Sequence, residues 1–242
     1  MDYSWKFHRG DIIRAVSKSS HSEDYGAVKA GKVTGPAGKY WIDNDWREVD
    51  LPHDYYAESE RQQDNRHSHG YRSEDNAWYR KTFLLDESLS DKELLLVFEG
   101  TAVNAEFYFN GSLMARSFSA YTETVFDITD RAYFGSIPNI LSVYINGKTF
   151  EGWWYEGAGI YRHVKLYVKD KLHIAHNGIF GKPVLKEGTK NSWNVHVETM
   201  LENSNYVGRT AAVRATILDG ETVIAQNTSK PQKVDYASKL AI

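Results

Sequence analysis

The chain has 242 residues and a formal net charge of −3, and this length suffices for one large domain or two of moderate size. Its charge balance lacks the concentrated basic patch that nucleic acids and anionic membranes require, so neither is predicted as a partner. The chain contains no cysteine, which excludes disulfides, thiolate nucleophiles and thiolate metal ligands. No apolar run is long enough to predict a membrane span, and residues 1–5 lack the pattern of a signal peptide, so the compartment is left open.

The first 76 residues are polar and irregular. Residues 1–40 carry scattered glycine and serine, and we interpret them as an N-terminal arm with loops. Residues 41–51 form a tighter pattern that Pro52 interrupts. The polar stretch 58–76 has no periodicity and is too long for an ordinary connection, so it is predicted to be either functional or mobile.

Strands follow one another from residue 77 onward, in keeping with 16 Tyr, 10 Phe and 7 Trp in the chain, since aromatic residues favour strands. Residues 103–110 alternate between two faces, odd-numbered positions on one and even-numbered positions on the other. Asn110-Gly111 then gives a strong hairpin signal, because both central turn residues need a positive φ. The strands predicted here are 77–85, 93–99, 103–110, 124–128, 139–146 and 160–168.

The pattern changes near Asp170, where aromatic density falls and moderately long strands recur. Asp219-Gly220 marks a turn between the last two of them. Such spacing is typical of an immunoglobulin-like sandwich. The strands predicted in this half are 172–180, 193–201, 209–218 and 221–226. No segment has a helical period beyond two turns, so we predict an all-β chain with domains at 1–170 and 171–242.

Several segments, in their order along the chain, resemble glycoside hydrolase family 2, the β-galactosidase and β-glucuronidase family. Residues 45–54 are similar to its W-x-x-V-x-L-P-H-D pattern, and residues 152–164 resemble the signature that closes its first domain. Further segments that fit are 5–11, 78–83, 98–100, 110–111 and 126–129. The resemblance covers residues 5–168 well and the remainder more weakly.

The resemblance implies a galactose-binding-like jelly-roll sandwich, then an immunoglobulin-like sandwich, then a (β/α)₈ barrel that carries two catalytic glutamates. Such a barrel needs about 250 residues of alternating strands and helices, and no such alternation is present. The family places its acid/base glutamate after an asparagine, and the chain has no Asn-Glu dipeptide. We therefore predict no catalytic residue in this chain and no glycosidase activity from it alone.

The second sandwich is predicted to be incomplete. Only 72 residues follow Asp170, whereas an immunoglobulin-like sandwich takes about 100. The chain therefore looks like part of a longer protein. The catalytic barrel of that protein is missing from this chain and is the partner that we expect for it. An incomplete sandwich is expected to expose a sheet edge that invites self-association, which leaves a homo-oligomer open.

Asp54 is the first candidate substrate-binding residue. By resemblance, the polar residue at this position reaches from the jelly roll to the barrel mouth and bonds a sugar hydroxyl. Because Pro52 ends the preceding strand, we expect the Asp54 carboxylate at a sandwich rim and largely exposed. The alternative is a turn in which Asp54 bonds nearby backbone amides.

Asn146 is the second candidate, since related enzymes approach the active site with this region, sometimes through an acidic residue. Here the matching positions hold Asn146 and Gly147, and a simple turn that ends a strand is the favoured interpretation. Neither residue suggests an ion-binding role.

The remaining candidates are aromatic and histidine clusters. Trp153-Trp154-Tyr155 could stack on a sugar face, although core or interdomain packing is the favoured interpretation. His67 and His69 offer two metal ligands, but no third ligand stands at a recognisable spacing, so we interpret them as part of a solvated loop. No metal site and no cofactor are predicted.

The favoured function is the non-catalytic N-terminal part of a β-galactosidase-like enzyme that hydrolyses terminal β-glycosidic bonds in carbohydrates. The family reaction retains configuration through a nucleophilic and an acid/base glutamate. The alternative is a stand-alone carbohydrate-binding or adhesion module.

Overall fold

The computed structural model describes residues 1–12, 33–149, 152 and 154–242, and these residues form strands, short 3₁₀ turns and no α-helix. The all-β prediction is therefore confirmed for the described residues. None of them forms a helix suited to crossing a membrane. The chain divides into two compact units, Met1–Ser90 with Leu94–Val168, and Asp91–Glu93 with Lys169–Ile242. Whether 1–170 and 171–242 fold as independent domains stays a prediction.

The first unit contains two sheets. Their strands are β1 (Trp5–Arg9), β2 (Arg47–Val49), β3 (Ala77–Phe83), β4 (Glu93–Phe98), β5 (Ala105–Phe109), β6 (Ser112–Ser117), β7 (Thr124–Asp127), β8 (Asn139–Ile145) and β9 (Val164–Lys169). The six-stranded sheet has the order β2-β1-β3-β8-β5-β6, and the three-stranded sheet has the order β7-β4-β9.

Aromatic side chains from both sheets form the core of the first unit. Phe98 of β4 and Phe107 of β5 have ring centroids 4.7 Å apart, and Phe126 of β7 lies 6.0 Å from Phe98. The alternation predicted for residues 103–110 agrees with this core, because Ala105, Phe107 and Phe109 are fully buried. Burial of these large side chains between the sheets is the main force that holds the sandwich together.

The hairpin predicted at Asn110-Gly111 joins β5 to β6, and φ is 48° at Asn110 and 80° at Gly111. The Asn110 side chain also accepts a hydrogen bond from the Ile140 backbone N–H at 2.8 Å and donates to Asn139 Oδ1 at 3.0 Å. The turn residue therefore fastens the hairpin to the start of β8.

The polar stretch 58–76 is a folded loop. Arg61 and Arg72 form an antiparallel bridge, and the Arg72 guanidinium donates to the carbonyl of Ser59. His67–His69 form one 3₁₀ turn, whose last residue is buried. The sequence showed no periodicity here because side-chain and turn hydrogen bonds, rather than a sheet ladder, hold the segment.

The second unit consists of three small antiparallel sheets. Their strands are β10 (Leu172–Leu185), β11 (Trp193–Asn203), β12 (Arg209–Ala211), β13 (Arg214–Asp219), β14 (Thr222–Thr228), β15 (Gln232–Val234) and β16 (Ser238–Ala241). The orders of the strands in the three sheets are β10-β11-β16, β12-β15 and β13-β14. The single strand predicted at 209–218 is two strands, because β12 pairs with β15 whereas β13 pairs with β14.

Arg80 is a charged residue within the core of the first unit, where it is 2% exposed. Its guanidinium donates to Asp43 Oδ2 at 2.9 Å, to the Gly38 carbonyl at 3.0 Å and to Ser142 Oγ at 2.9 Å, as well as to the Pro36 carbonyl. Burial lowers the pKa of Arg80, and the bond to Asp43 opposes this effect. These bonds attach the segment around residues 36–43 to β3.

We predict that Arg80→Ala destabilises the chain by about 3–5 kcal/mol, because it leaves Asp43 and several carbonyls without their buried partner. Arg116→Ala is the matched control, since Arg116 pairs with Glu106 while 57% exposed, and it should cost less than about 1 kcal/mol. Urea unfolding of both variants measures the difference, and equal losses would contradict the assigned role of Arg80.

Candidate functional site

The two most distinctive sequence motifs lie side by side at one rim of the first unit. The backbone N–H of His53 donates to the Ile160 carbonyl, and that of Tyr55 donates to the Ala158 carbonyl, both at 2.9 Å. Gly159 exchanges both of its backbone hydrogen bonds with Ala102 on the other side. Residues 158–160 are therefore held between the Pro-His-Asp segment and residue 102. The strand predicted to begin at 160 accordingly begins only at Val164.

Asp54 is held by three donors at this rim. Its Oδ1 accepts from the backbone N–H groups of Tyr56 and Ala158, both at 3.0 Å, and its Oδ2 accepts from Tyr155 Oη at 2.7 Å. The residue is half-buried, so the expectation of a largely exposed carboxylate is wrong. The bond to Tyr56 has the geometry of the predicted turn. Contact between Asp54 and a substrate stays a prediction.

Tyr155 is the third hydrogen-bond donor to the Asp54 carboxylate. Burial, followed by the hydrogen bond to Asp54, raises the pKa of the Tyr155 phenol. The phenol is therefore protonated at neutral pH and acts as the donor in this pair.

His53, the neighbour of Asp54 in the chain, anchors a second polar network. Its Nδ1 lies 2.6 Å from Tyr79 Oη, and its Nε2 lies 3.1 Å from Glu58 Oε1. Burial raises the pKa of Tyr79 well above its usual range, so the phenol is protonated at neutral pH. A guanidinium nitrogen of Arg47 also lies 3.3 Å from His53 Nε2. Burial also lowers the pKa of His53, although Glu58 opposes this effect.

Glu58 is in turn held by Arg47. Burial raises the pKa of the Glu58 carboxyl, but hydrogen bonds from Arg47 and His53 outweigh it and leave the pKa below its usual value. No sequence signal pointed to this network. Glu58 opens the polar stretch without periodicity, and no spacing rule connects it to Arg47 or Tyr79.

Asn146 lies at the end of β8 in a turn. Its backbone N–H donates to the Asn104 carbonyl at 3.2 Å, and its carbonyl accepts from Thr149 N–H at 3.3 Å. The next residue, Gly147, accepts a hydrogen bond from the Tyr56 hydroxyl, which links this turn to the segment of Asp54. The geometry agrees with a turn that ends a strand, and a substrate role for Asn146 stays a prediction.

Exposed aromatic side chains border the same rim. Trp154 is 53% exposed and Tyr155 41% exposed, so the interpretation of these two as core residues is wrong. Trp154 Nε1 donates to Tyr121 Oη at 2.8 Å. Trp153 lies outside the described residues. Because the chain buries neither ring in its own core, interdomain packing and sugar stacking both stay open for Trp154 and Tyr155.

The prediction that His67 and His69 lie in a solvated loop is correct for His67 and wrong for His69. His67 is exposed, but His69 is 2% exposed and its Nδ1 lies 3.6 Å from Glu74 Oε1. Elsewhere in the described residues, a set of three potential metal ligands does come together at Glu93, His173 and Glu202. No metal site was predicted from the sequence, because these three residues are far apart in the chain.

Comparisons with known proteins agree with this architecture. A family model described as "Glycosyl hydrolase 2 galactose-binding domain-like" matches residues 49–153. A β-galactosidase of Bacteroides ovatus, BoGH2A, is 29% identical over 222 residues, which cover 90% of this chain and 23% of that protein. A β-glucuronidase of Formosa agariphila is 26% identical over 224 residues, covering 83% of this chain and 22% of that protein.

Solved structures show the same likeness. A glycosyl hydrolase family 2 member from Bacteroides cellulosilyticus superposes with a TM-score of 0.84 at 26% identity, over 100% of this chain and 29% of that one. β-Glucuronidase 2 of Bacteroides uniformis has a TM-score of 0.80 at 20% identity and shows the fold alone, over 100% of this chain and 26% of that one.

Residues 49–153 of the first unit therefore match the galactose-binding-like domain of glycosyl hydrolase family 2. The chain as a whole is similar to the N-terminal region of β-galactosidases and β-glucuronidases of that family. It spans about a quarter of the length of the curated relatives named above.

We predict that Gly159→Ala destabilises the chain by about 2–3 kcal/mol. Gly159 has φ +143°, and a Cβ there would overlap the His53 carbonyl oxygen and approach Tyr79 Oη to 2.8 Å. Gly181→Ala in β10 is the control, because a Cβ there meets no atom of the described residues within 4 Å. Thermal unfolding of both variants checks the prediction, and an unchanged Gly159→Ala protein would show that the close approach is dispensable.

Proposed function

We propose that the chain is the non-catalytic N-terminal region of a retaining β-glycosidase, β-galactosidase-like in specificity, which acts on terminal β-glycosidic bonds. One observation carries the proposal: similarity to a named β-galactosidase extends over 90% of this chain. The two catalytic glutamates of such a reaction stand about 5–5.5 Å apart, and we assign them to a catalytic barrel outside this chain. In the whole protein, this chain would support that barrel and shape its mouth.

The rim geometry supports a substrate contact for Asp54 within this proposal. An ionised carboxylate offers about four acceptor positions, and three of them are occupied by Tyr56, Ala158 and Tyr155. One position on Oδ2 remains for a sugar hydroxyl. Asn146, whose turn is linked to the same segment through Tyr56 and Gly147, is the second proposed contact.

We predict that Asp54→Asn in the whole enzyme lowers kcat/KM about tenfold to a hundredfold, as expected for loss of a charged hydrogen bond of about 1.5–3 kcal/mol. The asparagine oxygen still accepts from the Tyr56 and Ala158 N–H groups, so the fold should be kept. Steady-state kinetics and thermal unfolding are measured together.

Tyr155→Phe serves as the matched control for that experiment. It removes the hydroxyl that Asp54 Oδ2 accepts from but leaves the carboxylate in place, so its kinetic effect should be smaller. If Asp54→Asn instead lowers the melting temperature strongly with intact kinetics, Asp54 is a turn residue and its substrate role is wrong.

We also predict that the 242-residue chain does not hydrolyse nitrophenyl β-galactoside or β-glucuronide. Hydrolysis needs two carboxyl groups whose environments separate their pKa values, and we assign neither to this chain. A longer form that includes the catalytic barrel should hydrolyse at least one of the two substrates. Turnover by the short chain that survives repurification would overturn the proposal, and so would a longer form that hydrolyses neither substrate.

A stand-alone carbohydrate-binding module is the second candidate, and the exposed side chains of Trp154 and Tyr121 favour it. Sugar faces stack on such rings, and the Trp154 indole is already oriented by its bond to Tyr121 Oη. A glycan array separates the candidates. Saturable binding that Trp154→Ala abolishes would favour a binding module. An array without signal would favour the role of a non-catalytic region in a larger enzyme.

A further inference from the structure

Three side chains of the second unit direct their donor atoms at one point. His173 Nε2 lies 3.5 Å from Glu93 Oε1 and 3.9 Å from Glu202 Oε2. The three donor atoms all lie within 4.8 Å of one another. His173 on β10 is opposite Glu202 on β11 in the sheet register, and Glu93 is the first residue of β4. We refer to these residues as the Glu93 cluster.

The Glu93 cluster is buried and incompletely bonded. The side chains of Glu93 and His173 are 8% and 7% exposed, and that of Glu202 is 27% exposed. Glu93 Oε2 and His173 Nε2 have no hydrogen-bond partner among the described residues. Buried polar atoms in proteins are almost always paired, so two unpaired atoms at one point indicate that a ligand belongs between them.

The orientation of the imidazole shows what kind of ligand fits. His173 Nδ1 lies 2.7 Å from the Asp170 carbonyl oxygen, and a carbonyl only accepts, so Nδ1 carries the proton. In the neutral ring, Nε2 then presents its lone pair to the two carboxylates. An Nδ1–H bond to a backbone carbonyl is the usual way in which a protein orients a metal-binding histidine.

The charges of the cluster also call for a cation. In the part of the chain that the structure describes, Glu93 pairs with His173, and Glu202 pairs with His173 and, through Oε1, with Lys239 Nζ at 3.0 Å. Lys239 is more than half exposed and contacts Glu202, so among the described residues the buried Glu93 carboxylate pairs with the imidazole alone. Buried carboxylates need compensation by a positive charge or by a metal.

We propose that Glu93, His173 and Glu202 bind one divalent transition-metal cation, with Zn²⁺ as the best match. Imidazole nitrogen together with carboxylate oxygen suits zinc, which takes four ligands at about 2.0–2.2 Å. Donors on such a tetrahedral ion are about 3.4 Å apart, which is close to the 3.5 and 3.9 Å that separate His173 Nε2 from the two carboxylates. Water takes the fourth position from the side of Glu202, the most exposed of the three.

The bound cation has a structural role. It fastens the start of β10 to the end of β11 and holds Glu93 against both strands. Binding to the folded chain alone stabilises that fold by mass action, and the site is available in this chain without any catalytic domain.

The test uses the 242-residue chain, freed of metal by a chelator and dialysed against Zn²⁺. We expect one zinc per chain by elemental analysis, and a melting temperature raised by about 5 °C at a zinc concentration about 100-fold above the Kd. His173→Asn and Glu202→Gln should each weaken zinc binding at least tenfold by calorimetry. His196→Asn is the control, because His196 lies exposed on β11 and its loss should change neither stoichiometry nor affinity.

Zinc bound without fixed stoichiometry, or lost equally from His173→Asn and His196→Asn, would overturn the proposal, since it would indicate surface histidines. Absence of zinc binding by the wild-type chain would overturn it as well and would leave the cluster as a hydrogen-bonded triad. Should His173→Asn fail to fold, Glu202→Gln decides, because Glu202 is the least buried member. None of these measurements depends on glycosidase activity, so their outcome is separate from that of the proposed function.

Discussion

The rim of the first unit depends on the backbone bonds of residues 158–160. Ala158 and Ile160 accept from the Pro-His-Asp segment on one side, and Gly159 pairs with Ala102 on the other. Only glycine fits at 159 without strain, because φ is positive there and the His53 carbonyl and Tyr79 hydroxyl occupy the space of a Cβ. Two segments that lie about 100 residues apart in the chain are thereby brought together, and Asp54 and Tyr155 take their positions from them.

Two side-chain networks lie next to each other at this rim. His53 is buried and is bonded to Tyr79 and Glu58, whereas the adjacent residue Asp54 is half-buried. Burial raises the pKa of the Tyr79 phenol and lowers the pKa of His53, so both rings are uncharged at neutral pH. A network whose members are all satisfied holds its geometry rigidly, which is what a residue such as Asp54 needs if its position is to matter to a bound molecule.

Local sequence signals predicted the elements that local physics determines. The alternation around Phe107 and the Asn110-Gly111 turn lie within a dozen residues, and both appear as expected. The start of β9 was placed four residues too early, because residues 158–160 look like strand but pair with a distant segment rather than continuing the ladder. Local pattern cannot show such a tertiary partner.

The candidate site was predictable only in part. The resemblance to family 2 directed attention to Asp54, but no signal indicated that Tyr155 would bond it across about 100 residues. The exposure of Trp154 was likewise unpredictable, since a tryptophan in an aromatic cluster is usually buried. Glu93, His173 and Glu202 lie on three strands, and only the folded register places them together. Sequence spacing reveals metal ligands when they share one turn or loop, which is not the case here.

The number of donors at Asp54 limits what this domain contributes to sugar recognition under the proposed function. Two backbone amides and one phenol already occupy most of its acceptor capacity, so a substrate would gain a single additional hydrogen bond there. One charged hydrogen bond discriminates between the positions of a hydroxyl but supplies little of the total binding energy of a sugar. Protein donors already bond the Asp54 carboxylate and hold it in place. The rim is therefore suited to selecting an orientation of the substrate. The bulk of the affinity, like the chemistry, then has to come from the catalytic domain that we assign to the whole enzyme.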